Sequence, residues 1–467
     1  MALNVSDAIL AILKTWYKDG VENLLFRNSP VLKEIEKVKV EGKEQAFAAL
    51  YGRGGAVAGD ATVAETKAKE NVRNAEFKVT PGQLFSMFAF NAKEVQASLS
   101  KRGAYMKVAG NKAFAAAEAL RKSLAAAFYG RGYGEIGTIT TTDAVSLVSG
   151  TPATITLSPD AILKIDVGSG IVFKTSIAAT SAAAAANVTA IDGETVTIVP
   201  TASATLSAST TYVVALAGSM DASGNALLPM GIDGWLPVVN GRENTAWTNY
   251  IGTPFFNVTR SVNPEALAGN FVVGKSGEKK YDTITRAMQK ARRRGSLMDM
   301  IILNDQDWLD VANEIQSTNT YFTQTSTKAG RKANVGFNAL SAGFSTNFID
   351  VIYDDPYCPK GKFYVLDKSG IEFWLYTNAE IATSDGVAGN EPGKEDPEAF
   401  NNKGNEDSPF KLLIDDVLTV VPGGLTTDGD SVRATYNLFG SFVVTDPASQ
   451  AVGLFYNADG YTGVLGY

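Results

Sequence analysis

Residues 103–137 read GAYMKVAGNKAFAAAEALRKSLAAAFYGRGYGEIG, an alanine-rich run that stops in a glycine-studded turn. Alanine, leucine, lysine, arginine and glutamate hold a helix at the least free-energy cost, and residues 112–128 contain little else. Ala113, Ala117, Leu120, Leu124 and Phe128 recur at spacings of three and four and so form one narrow apolar stripe. Glu118 and Lys122 face each other one turn apart on the other side. A helix that begins near Gly103 has roughly 25 residues and, at 1.5 Å per residue, a length of about 38 Å. Such a rod is a spine on which a domain can be organised.

The chain has 467 residues, 45% of them hydrophobic and 19% charged, which describes folded protein with room for two to four domains. Its single cysteine, Cys358, allows neither an intrachain disulfide nor a cysteine zinc cluster. Histidine is absent, which removes the usual general acid or base near neutral pH and the commonest metal ligand. Hydrolase mechanisms therefore start at a disadvantage. A net charge of −7 argues against a surface built to grip nucleic acid by its phosphates. No apolar run has bilayer-spanning length, and MALNVSDAIL lacks the basic-then-apolar plan of a signal peptide. The expectation is a soluble protein made and used in a reducing compartment.

Upstream of the spine, the first 20 residues read as an amphipathic helix, with Ser6 as cap, Ile9, Leu13, Trp16 and Tyr17 on one face and Gly20 as the stop. Too short to bury its face alone, it packs either on its own chain or, through Trp16 and Tyr17, as an arm on a neighbouring subunit. Residues 38–51 alternate as a strand, and 76–91 give a second, interrupted at Pro81 and Gly82. Between them YGRGGAVAGDATVAETKAKENVRNA (51–75) is polar, glycine-rich and charged, so the pair reads as a long projecting hairpin. On its tip, Arg53, Lys67, Lys69, Glu70 and Arg73 read either as a solvated face or as contacts to the next subunit.

Downstream the composition changes. Residues 138–237 are rich in threonine, alanine, serine and valine, with alternating runs at 153–157, 187–191, 195–199 and 211–216. Asp192-Gly193 between two of these runs is the strongest short-range hairpin signal. Evenly spaced short strands predict an inserted barrel or sandwich of about 90 residues. Beyond it come an amphipathic helix over 281–294 with Tyr281, Ile284, Met288 and Ala291 inward, a strand over 298–303 and a helix over 305–315. Strands at 348–355 and 362–368 bracket a turn, a polar loop covers 377–409, and one long strand spans 432–445. Arg292, Arg293 and Arg294 suit the negative end of their helix dipole, the alternative being a contact with nucleic acid or an acidic partner.

Two phosphate-binding patterns fail on context. Gly132, Gly134 and Gly137 spell G-x-G-x-x-G, but that fingerprint must follow a strand and open a helix, and this one closes a helix. Gly269, Gly274, Lys275 and Ser276 fit the phosphate-loop spacing, with MIILND (300–305) imitating a magnesium-holding strand end. SVNPEALA precedes the first glycine where a buried strand is required, and Phe271, Val272 and Val273 read as strand, not loop. Asp354 with Asp355, and the acids of 391–407, lack histidine and fixed spacing and read as solvated loops. Cys358 has no histidine to activate it. No catalytic residue, cofactor or metal site is expected.

The hairpin, followed by NAKEVQASLSKRGAYM (91–106) and the helix ending AAAFYGRGYGEIGTI (125–139), resembles the major capsid proteins of tailed double-stranded DNA bacteriophages, the Hong Kong 97-type fold. TITRAMQKARRRGSLMDMIILND (283–305), DDPYCPKGKFYVLD (354–367) and the late strand reaching Val443, Val444, Thr445, Asp446 and Pro447 follow the same layout. The resemblance implies an α+β fold divided into an N-terminal arm (1–45), an E-loop hairpin (46–77), a peripheral domain with its spine helix (78–137), an inserted β-barrel or sandwich domain (138–237), a peripheral continuation (238–295), an axial domain (296–430) and a return strand with the C-terminus (431–467).

It further implies a structural protein and no enzyme. Hexamers and pentamers would build an icosahedral shell around phage DNA, in the virion capsid, after assembly in the host bacterial cytoplasm. Implied partners are other copies of the chain, a separate scaffolding protein, the portal, decoration or cement proteins, and packaged double-stranded DNA held non-specifically, with no membrane. An acidic balance is compatible with holding DNA without adhering to it. Trp16, Tyr17, Arg53, Lys67, Lys69, Glu70 and Arg73 are the candidate inter-subunit contacts. Some members link subunits covalently through lysine and asparagine, and Lys67 and Lys69 are candidates for the lysine by position only. Two other classes compete: a β-rich tail or adhesin component, which predicts trimers or fibres, and a phosphate-loop nucleotide hydrolase dependent on Lys275.

Overall fold

The computed structural model describes residues 30–40, 42–52, 57–68, 73–91, 108–177, 179–237, 251–318, 342–344, 347–349, 352–376, 419–425 and 431–456. The helix expected before residue 21 and the loop expected over 377–409 lie outside them. The described residues within Gln83–Ala125 and Leu375–Gly440 gather into one compact unit, and those within Ser29–Gly82, Ala126–Trp374 and Ser441–Tyr467 into another.

The spine helix is Val108–Phe128, 21 residues, or about 32 Å. Leu120, Leu124 and Phe128 of its stripe are buried; the side chains of Ala113 and Ala117 lie outside the described set. The amides of Tyr129 and Gly130 bond back three residues to Ala126 and Ala127, a tightened last turn, before Gly132 and Gly134 take left-handed φ of +82° and +66°. The 14-residue strand Ser431–Val444, of which 431–440 lie in the first unit, pairs antiparallel with Thr419–Leu425, Thr419 opposite Asn437, and also with the strand Gly82–Asn91. Ser86 Oγ donates to the Ala116 carbonyl of the spine at 2.8 Å, and Phe85 meets Phe439 edge-on.

In the second unit, the expected strand over 38–51 is two strands, Glu36–Val40 and Gln45–Gly52. Gly42, at φ +100°, turns the chain between them, a conformation that only glycine adopts cheaply. Gln45–Gly52 pairs with Arg73–Val79 as the expected hairpin. Its tip carries an unforeseen helix, Ala61–Ala68, started by Asp60, whose carboxylate accepts from the Thr62 amide at 2.7 Å.

Residues 135–216 hold a six-stranded antiparallel sheet in the order 135–141, 210–216, 170–174, 184–192, 195–200, 153–156, and a ribbon of 145–147 with 204–206. Ile139, Ile155, Phe173, Val196 and Val214 from the sheet share one core with Leu147 and Leu206 from the ribbon, a sandwich-like arrangement. Asp192 lies opposite Thr195 across the predicted turn, with Gly193 at φ +56°.

The remaining strands form a mixed sheet in the order 270–273, 451–454, 362–366, 300–303, 352–354. Asn270–Val273 runs parallel to Ala451–Leu454, and Met300–Leu303 parallel to Ile352–Asp354. The helix Lys280–Arg292 buries Ile284, Ala287, Met288 and Ala291 in one core with Ile301, Leu303, Phe363 and Val365 of the sheet, and Val311 and Ala312 of the helix Asp305–Thr318 join them. Gly295, at φ +95°, ends the first of these helices. Its cationic end is met by the chain itself, since Glu265 pairs with Arg294 and lies 3.7 Å from Lys290.

Candidate functional site

The feature built to reach outward is the hairpin, and its root is an aromatic cluster. Phe47 and Phe77, opposite each other across the two strands, stack at 5.3 Å between ring centroids. Both rings pack on Trp235, and Phe47 meets the edge of Trp374. Trp235 is fully buried, touches Phe255 and Phe256 on its other side, and donates Nε1–H to the Phe442 carbonyl at 2.8 Å. Arg260, also fully buried, lies over Phe255 and donates to the carbonyls of Gly234 and Trp235. One backbone bond and one side-chain bond complete the anchorage: Lys78 N–H to the Phe256 carbonyl at 3.0 Å and Asn263 Nδ2–H to the Tyr51 carbonyl at 3.1 Å. A root this apolar and hydrogen-bonded holds the hairpin at a fixed angle to its own unit. Towards the tip, Val63 is exposed and Val57 is 92% exposed.

The second feature is the root of the insertion. Glycines 132 and 134 lie against its outgoing segment, Leu228 N–H donating to the Gly132 carbonyl and Leu216 N–H to the Gly134 carbonyl. A Cβ on Gly132 would come within 2.9 Å of the Leu228 carbonyl oxygen. The glycine pattern therefore clamps two chain segments and leaves no space for a phosphate. Beneath it lies a buried polar layer. Lys362 Nζ donates to Asp233 Oδ2 at 2.5 Å, and Tyr364 Oη to Asp233 Oδ1 at 2.6 Å. Tyr129, just past the spine, donates to Asp355 Oδ2 at 2.9 Å. Burial first, and then the facing carboxylates, push both phenols well above their ordinary range. Asp307, buried, accepts from Lys280 and from the Gly361 amide.

The other candidates resolve as framework. Asn270–Val273 is a strand, and a Cβ on Gly274 would collide with the backbone of Tyr456, so the phosphate-loop spacing holds no anion cradle. The Lys275 amide is bound by Glu278. Asp354 is exposed while Asp355 is buried on Tyr129 and the Tyr357 amide, so the two do not act as a pair. Cys358 is buried beside the Pro359 and Lys362 carbonyls, and burial pushes its thiol well up. Among the described residues no cluster of metal-ligating side chains occurs, and no helix is long and apolar enough to cross a membrane. Of the candidate contact residues, Arg73 opens the second hairpin strand and is exposed, and Lys67 lies on the tip helix. Trp16, Tyr17, Arg53, Lys69 and Glu70 lie outside the described residues. Trp235 and Arg260, the residues that hold the hairpin, carry no sequence motif; the only hint is a tryptophan beside a glycine in GIDGW (231–235).

No protein-family model matches the chain, and no curated protein matches it in sequence. Among solved structures, the chain is similar to one from the capsid asymmetric unit of Cyanophage A-1(L), with 12% identity over 94% of this chain and 95% of that one and a TM-score of 0.52. Chains from the capsid of a native GTA particle (9% identity, 98% and 99% covered, TM-score 0.45) and from the SrpI encapsulin of Synechococcus elongatus (8%, 97% and 96%, 0.41) also match.

Proposed function

From a chain with the Hong Kong 97-type capsid fold, we propose a shell subunit: a structural protein that self-assembles into hexamers and pentamers of an icosahedral capsid around phage double-stranded DNA. The observation that carries this reading is the end-to-end likeness to a capsid subunit, 94% of one chain on 95% of the other. A hairpin rooted in a buried aromatic cluster supports it, because subunits that close into rings need projections that keep their direction. Many modest contacts of this kind add up through multivalency. Residues 1–45 then act as the arm, 46–77 as the E-loop, 78–137 with 238–295 as the peripheral domain, 296–430 as the axial domain and 431–467 as the return, with 138–237 inserted. Trp16, Tyr17, Arg53, Lys67, Lys69, Glu70 and Arg73 are the contacts proposed between copies. A separate scaffolding protein, a portal, decoration proteins and non-specifically held DNA complete the proposed partners, and assembly proceeds in the host bacterial cytoplasm.

The tail or adhesin reading has less support, since the β-rich segment is an insertion in a larger α+β chain. The hydrolase reading is disfavoured by the strand at 270–273. Expression of the chain, alone and with a scaffold, followed by negative-stain imaging tests the proposal. Hexamers, pentamers or shells are expected; small monodisperse particles or fibres under both conditions would overturn it.

A further inference from the structure

The helix Lys280–Arg292 runs out on four cations in five residues, Lys290, Arg292, Arg293 and Arg294, in a chain of net charge −7. Glu265 meets Lys290 and Arg294, and Asp299 follows close in sequence, so two of the four charges are offset. Arg293 is exposed. Past Gly295 the turn presents Leu297, 66% exposed. Its neighbours Ser296 and Met298 are buried and its amide donates to Asp367 Oδ2 at 3.2 Å, so the backbone holds this leucine outward. The Arg294 and Gly295 amides bond back to the Ala291 and Arg292 carbonyls at 2.9 Å each. An apolar side chain on a fixed turn, rimmed by guanidinium groups, has the make-up of an interface anchor.

We propose that this turn is a docking surface for the acidic segment 391–407 of a second copy of the chain, a contact that rests on the shell-subunit reading only in requiring copies to meet. The segment, EPGKEDPEAFNNKGNED, carries six carboxylates against two lysines and has one aromatic ring, Phe400. No other stretch of that length in the chain holds as many carboxylates. It lies outside the described residues. Charge sets the pairing: copies at −7 each repel, and a contact between them is favoured where a local positive surplus faces a negative one. Phe400 supplies an apolar group to cover Leu297. Duplex DNA, the competing polyanion, presents phosphates to the arginines and offers the leucine no cover. The basic turn and the acidic segment are different surfaces, so the contact is heterologous and suits a ring of like copies.

Carbodiimide, which joins an amine to a carboxylate without a spacer, tests the contact in the full chain carrying Arg293→Lys, a change that keeps the charge and adds a reactive amine. Isotope-labelled and unlabelled chains are mixed before assembly. Cross-links from position 293 to carboxylates of 391–407 are expected, joining labelled to unlabelled chains and fading as salt is raised. A fluorescent peptide of residues 391–407 reads the same surface in chains that do not assemble. It should bind the full chain, and about tenfold more weakly once Arg293→Glu and Leu297→Ser are combined. Lys275→Glu, at the other end of the helix, should leave its binding unchanged. Shells that form without these cross-links overturn the contact and leave the shell reading standing, whereas peptide binding without shells does the reverse. Cross-links confined to single chains, peptide binding indifferent to the paired substitutions, or a patch occupied by short duplex DNA and not by the peptide also overturn the proposal.

Discussion

Lys362 and Asp233 form an ion pair in the interior, Nζ to Oδ2 at 2.5 Å, with Tyr364 on the other carboxylate oxygen. Dehydrating two ions costs several kcal/mol each, offset only while both partners are present. Lys362→Met leaves a buried carboxylate with the Tyr364 hydroxyl as its remaining side-chain donor, and should lower unfolding stability by about 3–5 kcal/mol in chemical denaturation. Adding Asp233→Asn should recover much of the loss; strictly additive losses would contradict the coupling.

The same layer sets an alkaline limit. The folded protein holds the protons of Tyr129 and Tyr364 beyond the ordinary phenol value of 10.0. Their contribution is intact below that value and is lost as pH rises through it towards the raised folded values. A phenolate-absorbance titration should show these two ionising only as the chain unfolds. Ionisation of all 17 tyrosines in still-folded protein would contradict the assignment.

Gly231 is a steric requirement. A Cβ there would overlap the carbonyl oxygens of Ala127, Phe128 and Gly130, all backbone at the end of the spine. Gly231→Ala should be insoluble or strongly destabilised in thermal melts. Gly252→Ala, where a Cβ meets nothing within 4 Å, should melt within a degree or so of wild type, about what a change under 0.5 kcal/mol allows.

Leu120 lies buried in mid-spine. Leu120→Pro removes a helix hydrogen bond and clashes with the turn before it, at about 3 kcal/mol or more. Helical circular dichroism should fall and particles should be absent by electron microscopy; normal shells from this variant would sink the role given to the spine.

Elements with a strong period were legible in the sequence. The 3.6-residue stripe of 280–292 and the alternation of 195–200 appear almost as read, because burial of one face imposes the pattern. The break at Gly42 and the tip helix 61–68 were missed, although Asp60 before ATVAETKA was an available cap signal. The Trp235 hub was not legible: a side chain in a turn has no period, and its partners Phe47, Phe77 and Phe442 come from distant segments. Nor was the pairing of 270–273 with 451–454, since parallel strands have no connecting turn to announce them.

That last pairing has a consequence in time. Val273 and Leu454 are paired although roughly 180 residues separate them, a stretch that takes a ribosome about 10–40 s to synthesise. Once made, the inner strand 362–366 waits a further 85 residues or so, about 4–17 s, for its neighbour 451–454, while residues 138–237 have already left the ribosome. The sheet closes only once residues 451–454 have been made. A nascent chain therefore cannot complete this sheet before residue 451 appears, and the topology itself works as a timer on the closing of the core.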